Sequence, residues 1–180
     1  MNEIKMMGKN SVHAYQCNVA DRNEVFRVAE KVRTEVGDVT ILIDNAGIIF
    51  LKKDLDQSVD EITRVTDVNI MSHYWTLQAF LPSMIEKNRG HVVAVSSVAA
   101  FYSGTYGTVY CPSKFAVKAL MEAVIDQLST DSREIFFIKF TTVYPVLLTG
   151  FAKKSKMRFP SIMARLTPQK AASLIKIDVQ

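Results

Sequence analysis

An α/β fold with a doubly wound parallel sheet is the class that this sequence predicts, and three observations predict it. Short apolar runs rich in β-branched residues alternate with stretches whose apolar residues recur at helical spacing. No hairpin signal joins one such run to the next, so consecutive strands need crossover helices and run parallel. Val92 to Val95 is bounded by Gly90 and by Ser96-Ser97, which delivers a serine to a strand end, the place where open α/β sheets bind ligands. With 180 residues, 48% of them hydrophobic, the chain is long enough for a substantial core and reads as a single domain over residues 1–180.

In chain order, Val12 to Val19 is predicted as the first strand. Asp21 is placed to cap a helix through Val25, Val28, Ala29 and Val32 to Val36, with Gly37 stopping it. Thr40 to Ile43 is the second strand and ends in Asp44-Asn45-Ala46-Gly47. Ser58-Val59-Asp60-Glu61 has the form of a capping box and predicts a helix start, with helical pattern continuing to Asn88. Asn69, polar in an apolar run and a poor helix former, predicts a break there, and Pro82 a second local adjustment. Asn69 has two readings, a residue facing solvent or a helix distortion that offers a carbonyl to a proton-relay water.

After Val92 to Val95 comes a loop with Gly104 and Gly107. Tyr110 then opens a segment, Ser113 to Leu128, with apolar residues at helical spacing. Ile135 to Val143 is the next strand and ends at Tyr144-Pro145. Thr149-Gly150 and a basic patch (Lys153, Lys154, Lys156, Arg158) follow as a segment over the site. Thr167-Pro168 fits a helix start, with the helix running to about Ile175.

Several function classes are disfavoured by composition. The formal net charge of +4 comes from scattered Lys and Arg, and the one basic patch reads as a solvated loop rather than a nucleic-acid site. Cys17 and Cys111 are too few for a disulfide framework. His13, His73 and His91 share no metal-ligand spacing and read as packing or surface residues. No apolar run approaches the ~18 residues of a membrane span, and Met1 to Asn10 lacks a signal-peptide core, which predicts a cytoplasmic chain.

Tyr110 and Lys114 carry the chemistry. Four residues apart on a helix, their side chains stack on one face. A phenol titrates near ~10 and is a poor base at neutral pH unless a neighbouring cation favours the phenolate. Lys114 is expected to supply that cation, leaving Tyr110 to exchange a proton with an alcohol or carbonyl held by Ser97. Of the six tyrosines only Tyr110 has a lysine four residues on, and Ser97 precedes it by thirteen positions at a strand end.

These residues, with Asn45-Ala46-Gly47, Val68-Asn69 and Pro145 to Thr149, closely resemble the short-chain dehydrogenases/reductases over about Val12 to Ile175. The stretches V-N-I-M-S-H-Y-W-T-L-Q-A-F-L-P-S-M, N-R-G-H-V-V, Y-C-P-S-K-F-A and L-T-G-F most resemble the lipid-droplet 17β-hydroxysteroid dehydrogenases and the microsomal retinol dehydrogenases. The resemblance implies a Rossmann-like sheet and oxidation or reduction of a secondary alcohol or ketone on a lipophilic, steroid- or retinoid-like substrate. NAD or NADP is the implied cofactor, without a preference between them. Tyr110 is then the acid/base and Ser97 orients the substrate oxygen. Lys114 holds the nicotinamide ribose and lowers the tyrosine pKa, while Asn69 supports the proton relay. Asn18, Val19, Asn45, Ala46, Gly47, Tyr110, Lys114, Pro145 and Thr149 are the implied cofactor contacts. The two long helices, near Asn69 to Glu86 and Ser113 to Leu128, imply a homodimer, and the resemblance implies the endoplasmic reticulum or lipid droplet as location. Phe151 to Phe159 is the candidate for contact with a membrane surface.

Departures from the family pattern concern the cofactor. Asn18 stands where an Asp is usual, Asp44 replaces the first Asn of N-N-A-G, Val146 replaces a glycine, and the Pro145 to Thr149 spacing is one residue short. The family's T-G-x-x-x-G-x-G turn, which presents backbone amides to a pyrophosphate, has no counterpart among the seven glycines. The sheet is therefore expected to be N-terminally truncated, with the first βαβ unit absent. Val12 to Val19 must then pair with Thr40 to Ile43 or stay loose. The alternative to an enzyme is an inactive truncated member that serves as an interaction or dimerisation protein.

Overall fold

The computed structural model describes residues 12–50, 52, 56–103, 106–133, 135–146, 167, 169–170 and 172–173. Helix α1 (Arg22–Glu35) starts where expected: the Asp21 carboxylate accepts from the amides of Asn23 and Glu24, two of the donors a helix start leaves unpaired. It ends at Gly37, whose φ of 111° only glycine adopts without strain and whose amide reaches back to the Val32 carbonyl.

Strand β1 (Ile41–Asp44) pairs in parallel with β2 (Gly90–Val95), and β2 in parallel with β3 (Ile138–Val143), in the spatial order β1-β2-β3. The parallel β/α organisation is borne out. Val12 to Val19 is a correction: residues 12–18 form no strand and join no ladder. Their β-branched content is low, and Asn18 is bound into the turn that starts α1, its amide donating to Glu24 and its side-chain oxygen accepting from Ala20. The second of the two expectations for this segment, that it stays off the sheet, is the one met. The last strand is also shorter than predicted, since residues 135–137 precede the ladder.

Helix α2 (Val59–Thr66) opens on a complete capping box in which Ser58 Oγ accepts from the Glu61 amide and Glu61 accepts from the Ser58 amide. The break predicted at Asn69 is a π-helical turn over Asp67–Met71, from which α3 (Ser72–Glu86) continues past Pro82. Helix α4 (Tyr110–Ser129) begins at the tyrosine itself.

Helices α3 and α4 cover one face of the sheet. Leu77, Leu81 and Met84 from α3 and Val117, Met121 and Leu128 from α4 close over Leu42, Val92 and Ala94. Gly90 lets α3 approach β2, since a Cβ there would lie 2.6 Å from Met84 Sδ. On the outer side α1 packs Val25 and Ala29 against Ala79, with Phe26, Trp75 and Phe80 around them. This arrangement brings the C-terminal ends of β1, β2 and β3 beside the first turn of α4. No helix among the described residues is long and apolar enough to cross a membrane.

Candidate active site

The ends of two strands and the starts of two helices supply the site. Successive residues of a strand point to opposite faces, so the Ser96-Ser97 pair divides its labour at the end of β2. Ser96 is buried and donates its hydroxyl to the Lys114 carbonyl at 3.0 Å, fastening the strand end to α4. Ser97 is extended, accepts from the Ala99 amide at 3.2 Å as the cap of a short 3-10 turn (Val98–Ala100), and has a side chain that acts to lower the pKa of the Tyr110 phenol. The two serines thus hold strand end, turn and helix start in one frame.

Lys114 sits one turn along α4 from Tyr110, and it is almost fully buried. Its ammonium donates to the Val95 carbonyl at 3.0 Å and lies 5.8 Å from the centre of the Tyr110 ring. Burial pushes the ammonium down to about 8. Burial also raises the Tyr110 phenol above its ordinary value, and the Ser97 side chain works in the opposite direction without overcoming it. The expectation of a lowered phenol is therefore not met in the chain alone. The physical reason is that Tyr110 and Lys114 share a dry setting, which disfavours the charged form of each.

Asn69 is not solvent-facing, because it is 0% exposed. Its side chain joins three elements: Oδ1 accepts from the Ile48 amide (2.8 Å), and Nδ2 donates to the Ile48 carbonyl (2.9 Å) and to Ser113 Oγ (3.0 Å). Ser113 in turn donates to the Tyr110 carbonyl at 2.7 Å. The π-helical turn is what lets Asn69 reach both the loop after β1 and the start of α4. A Cβ built on Gly47 would stand 3.5 Å from Lys114 Nζ and 3.6 Å from Asn69 Oδ1, so the backbone at Gly47 runs within van der Waals reach of both polar groups.

The other expected positions fall into two groups. Asn45, Ala46 and Gly47 follow β1 directly, and Pro145 is buried behind β3 with its carbonyl accepting from the Val98 amide at 3.4 Å. Asn18 and Val19 stand in the turn before α1. Thr149, the basic patch, Phe151 to Phe159 and most of the helix predicted after Thr167 lie outside the described residues, although Thr167 Oγ1 does accept from the Lys170 amide as a helix cap would.

Three residues of the site were not singled out in the sequence. Ser96 and Ser113 neighbour the predicted Ser97 and Lys114, and strand alternation and helical spacing were the signals that could have found them. Asp44 was noted only as a departure. It is buried at the end of β1, its carboxylate accepts from Thr76 Oγ1 at 2.9 Å, and burial pushes it up to about 7. Among the described residues no group of histidines, cysteines and carboxylates is placed to hold a metal ion.

Ser97, Tyr110 and the buried Lys114 thus gather at the C-terminal ends of parallel strands. The short chain dehydrogenase family matches residues 1–158. The chain belongs to that family. This short-chain dehydrogenase is 41% identical over 170 residues to human epidermal retinol dehydrogenase 2, a match covering 93% of the chain and 54% of the relative. It is 37% identical over 157 residues to human 17-beta-hydroxysteroid dehydrogenase 13, covering 87% and 51%. It spans about half the length of the curated relatives it matches. Its fold superposes with TM-score 0.83 on an alcohol dehydrogenase from the archaeon Thermococcus sibiricus solved with 5-hydroxy-NADP, at 22% identity, over 99% of this chain and 72% of that one.

Proposed function

We propose that this short-chain dehydrogenase site transfers a hydride between NAD or NADP and a secondary alcohol or ketone on a lipophilic substrate, with Tyr110 as acid/base. The observation that carries the reading is the Lys114 ammonium anchored on the Val95 carbonyl at 3.0 Å and 5.8 Å from the centre of the Tyr110 ring, with Ser97 at the adjoining strand end. Lys114 Nζ and Asn69 Oδ1, which converge beside Gly47, are the polar groups that would meet the ribose end of such a dinucleotide. Asn45, Ala46, Pro145 and Thr149 would hold the nicotinamide half, and Asn18 and Val19 the adenine half. The cofactor, when bound, supplies the hydride acceptor or donor.

The chain's own residues do the rest. Ser97 is placed to hold the substrate oxygen while Tyr110 takes or returns its proton. Burial of the phenol means that ionisation of Tyr110 has to be assisted at the moment of reaction. The Lys114 cation is the nearby charge that can assist it, at a cost of about 1.36 kcal/mol per pKa unit otherwise unmet. The loop between Ser97 and Tyr110 supports an apolar substrate. It exposes Phe101 (57%), Tyr102 and Tyr106, and Phe101 is backed by Tyr144 with ring centres 4.6 Å apart.

Titration of the purified chain with NADH and NADPH, read by nicotinamide fluorescence, tests the proposal. Saturable binding is expected, lost in Lys114→Ala. A folded chain that binds neither nucleotide overturns it.

A further inference from the structure

Asp44 ends β1 with a carboxyl that the chemistry assigned above does not use. It is buried beside Ala94 of β2, its partner in the ladder, and it meets α3 through Thr76, whose Oγ1 lies 2.9 Å from Asp44 Oδ2. The same hydroxyl is also 2.9 Å from the Ser72 carbonyl and 3.2 Å from the His73 carbonyl.

A threonine hydroxyl has a single hydrogen to donate. With Asp44 ionised, three oxygens that only accept surround that hydrogen, so the carboxylate and the Ser72 carbonyl cannot both receive it. A neutral carboxylic acid removes the conflict because it brings a hydrogen of its own. Asp44 then donates to Thr76 Oγ1, and Thr76 donates to the backbone.

Ser72 stands where such a change matters. Its amide donates to the Asp67 carbonyl and closes the π-helical turn over Asp67–Met71. That turn carries Asn69, which ties Ile48, in the loop after β1, to Ser113 of α4. Asp44 thus borders the tie twice: it begins the loop that leads to Ile48, and through Thr76 it reaches the residue that closes the turn.

Beta-strand β2 and helix α3 are the elements packed against β1. Their titratable groups are His91, at the opposite end of the ladder beside Ile41, and His73, Tyr74 and Glu86 on α3. Among the described residues neither these nor Lys114 of α4 shifts Asp44. Burial does, against the opposing Thr76 hydrogen bond, and brings the carboxyl up to about 7.

We propose that Asp44 is a positioning residue for Asn69, acting through Thr76 by the direction of one hydrogen bond. With a proton taken from solvent, Asp44 donates to Thr76 Oγ1, and Thr76 donates to the Ser72 carbonyl behind the π-helical turn. When that proton returns to solvent, the Thr76 hydrogen turns to the carboxylate and the Ser72 carbonyl loses it. The catalytic meaning of the switch rests on the proposed function, in which Asn69 serves the site.

The test needs no nucleotide, so its failure is distinct from a failure to bind cofactor. Carbon-detected NMR of the 13C,15N-labelled chain follows the Asp44 carboxyl, assigned through Asp44→Asn, together with the Ser72 carbonyl and the Asn69 side-chain amide during a pH titration. All three are expected to share one midpoint near about 7 in the parent. In Thr76→Val, which replaces the hydroxyl by a methyl, Asp44 should still titrate, at a higher midpoint because the Thr76 hydrogen bond holds it down, while the steps at Ser72 and Asn69 disappear. An Asp44 carboxyl that ionises near the ordinary ~4 overturns the proposal. So does a Ser72 carbonyl or an Asn69 amide that ignores Asp44 in the parent, and so do steps that persist unchanged in Thr76→Val, the mark of a bare field effect. If Thr76→Val does not fold, Thr76→Ala, which also lacks the hydroxyl and favours helix, is read in the same way.

Discussion

Strands β1 and β2 are neighbours built from similar residues, yet they live in different environments. Val92, Val93 and Ala94 of β2 expose 0% of their surface, whereas Ile41 and Ile43 of β1 expose 44% and 49%. The difference is one of position: among the described residues β2 has a ladder on both edges and β1 on a single edge, with the face opposite α3 open at its isoleucines. The proposed catalytic residues hang from the closed strand, since Ser97 follows the end of β2 and Lys114 is fastened to the Val95 carbonyl. The expected cofactor residues Asn45 to Gly47 hang from the open one. The site thus joins a well-supported half to a thinly supported half, and the two should respond differently to damage.

The largest effect is expected from removing packing on the closed side. Met121 is fully buried beneath β2, and Met121→Ala should cost about 2–5 kcal/mol in urea unfolding. Ile43→Ala, half-exposed on β1, should cost less than about 0.5 kcal/mol. Equal costs would show that β1 is as well supported as β2 and would break the comparison.

Asp44 sharpens it from the open side. Its carboxyl titrates at about 7 in the folded chain, well above the ordinary carboxylate value, because burial disfavours the charge and Thr76 offers one hydrogen bond in return. Between about pH 4 and pH 7 the folded state holds the proton that the unfolded state releases, so Asp44 removes stability as pH rises through that window. His73 acts with the opposite sign from about pH 4 up to the ordinary imidazole value near ~6.5, because burial keeps it neutral while the unfolded ring is protonated. Asp44→Asn keeps an acceptor for Thr76 and removes only the ionisation. Urea unfolding should find the variant more stable than the parent by on the order of 2–4 kcal/mol at pH 8, with the gap closing toward pH 4. A gap that does not change with pH would mean that Asp44 is not the titrating group.

Where local signals dominate, the sequence was legible. Asp21 and Ser58 start their helices as predicted, Gly37 stops one, and Asn69 marks the one distortion in the long helical stretch. The placement of the proposed triplet was legible for the same reason, because Tyr110 and Lys114 are joined by one turn of helix and Ser97 follows a strand end. Partners set by tertiary contact were not. Val12 to Val19 carries valine at both ends, but a strand exists only where a neighbour completes the ladder, and none among the described residues does. Asn69's three bonds reach residues 21 and 44 positions away, distances at which no local pattern reports. The raised phenol of Tyr110 likewise depends on how much of the fold closes around it.

The smallest effect belongs to a purely local device on the open side. Glu61 accepts from the Ser58 amide and from Lys52, and the Lys52 hydrogen bond first, then the backbone bond, holds its carboxyl below the ordinary value. Ser58→Ala removes the reciprocal half of this capping box and should cost about 1 kcal/mol. Helix α2 makes little of the main core, contributing Val65 as its one buried residue, so the loss should stay local. Native-state hydrogen exchange should show faster exchange at residues 61–66, with the amides of β2 unchanged. If the β2 amides accelerate equally, α2 opens only with the whole domain. The half of the site that follows β1 would then share the cooperativity of the half that follows β2, and the contrast in exposure between the two strands would carry no contrast in stability.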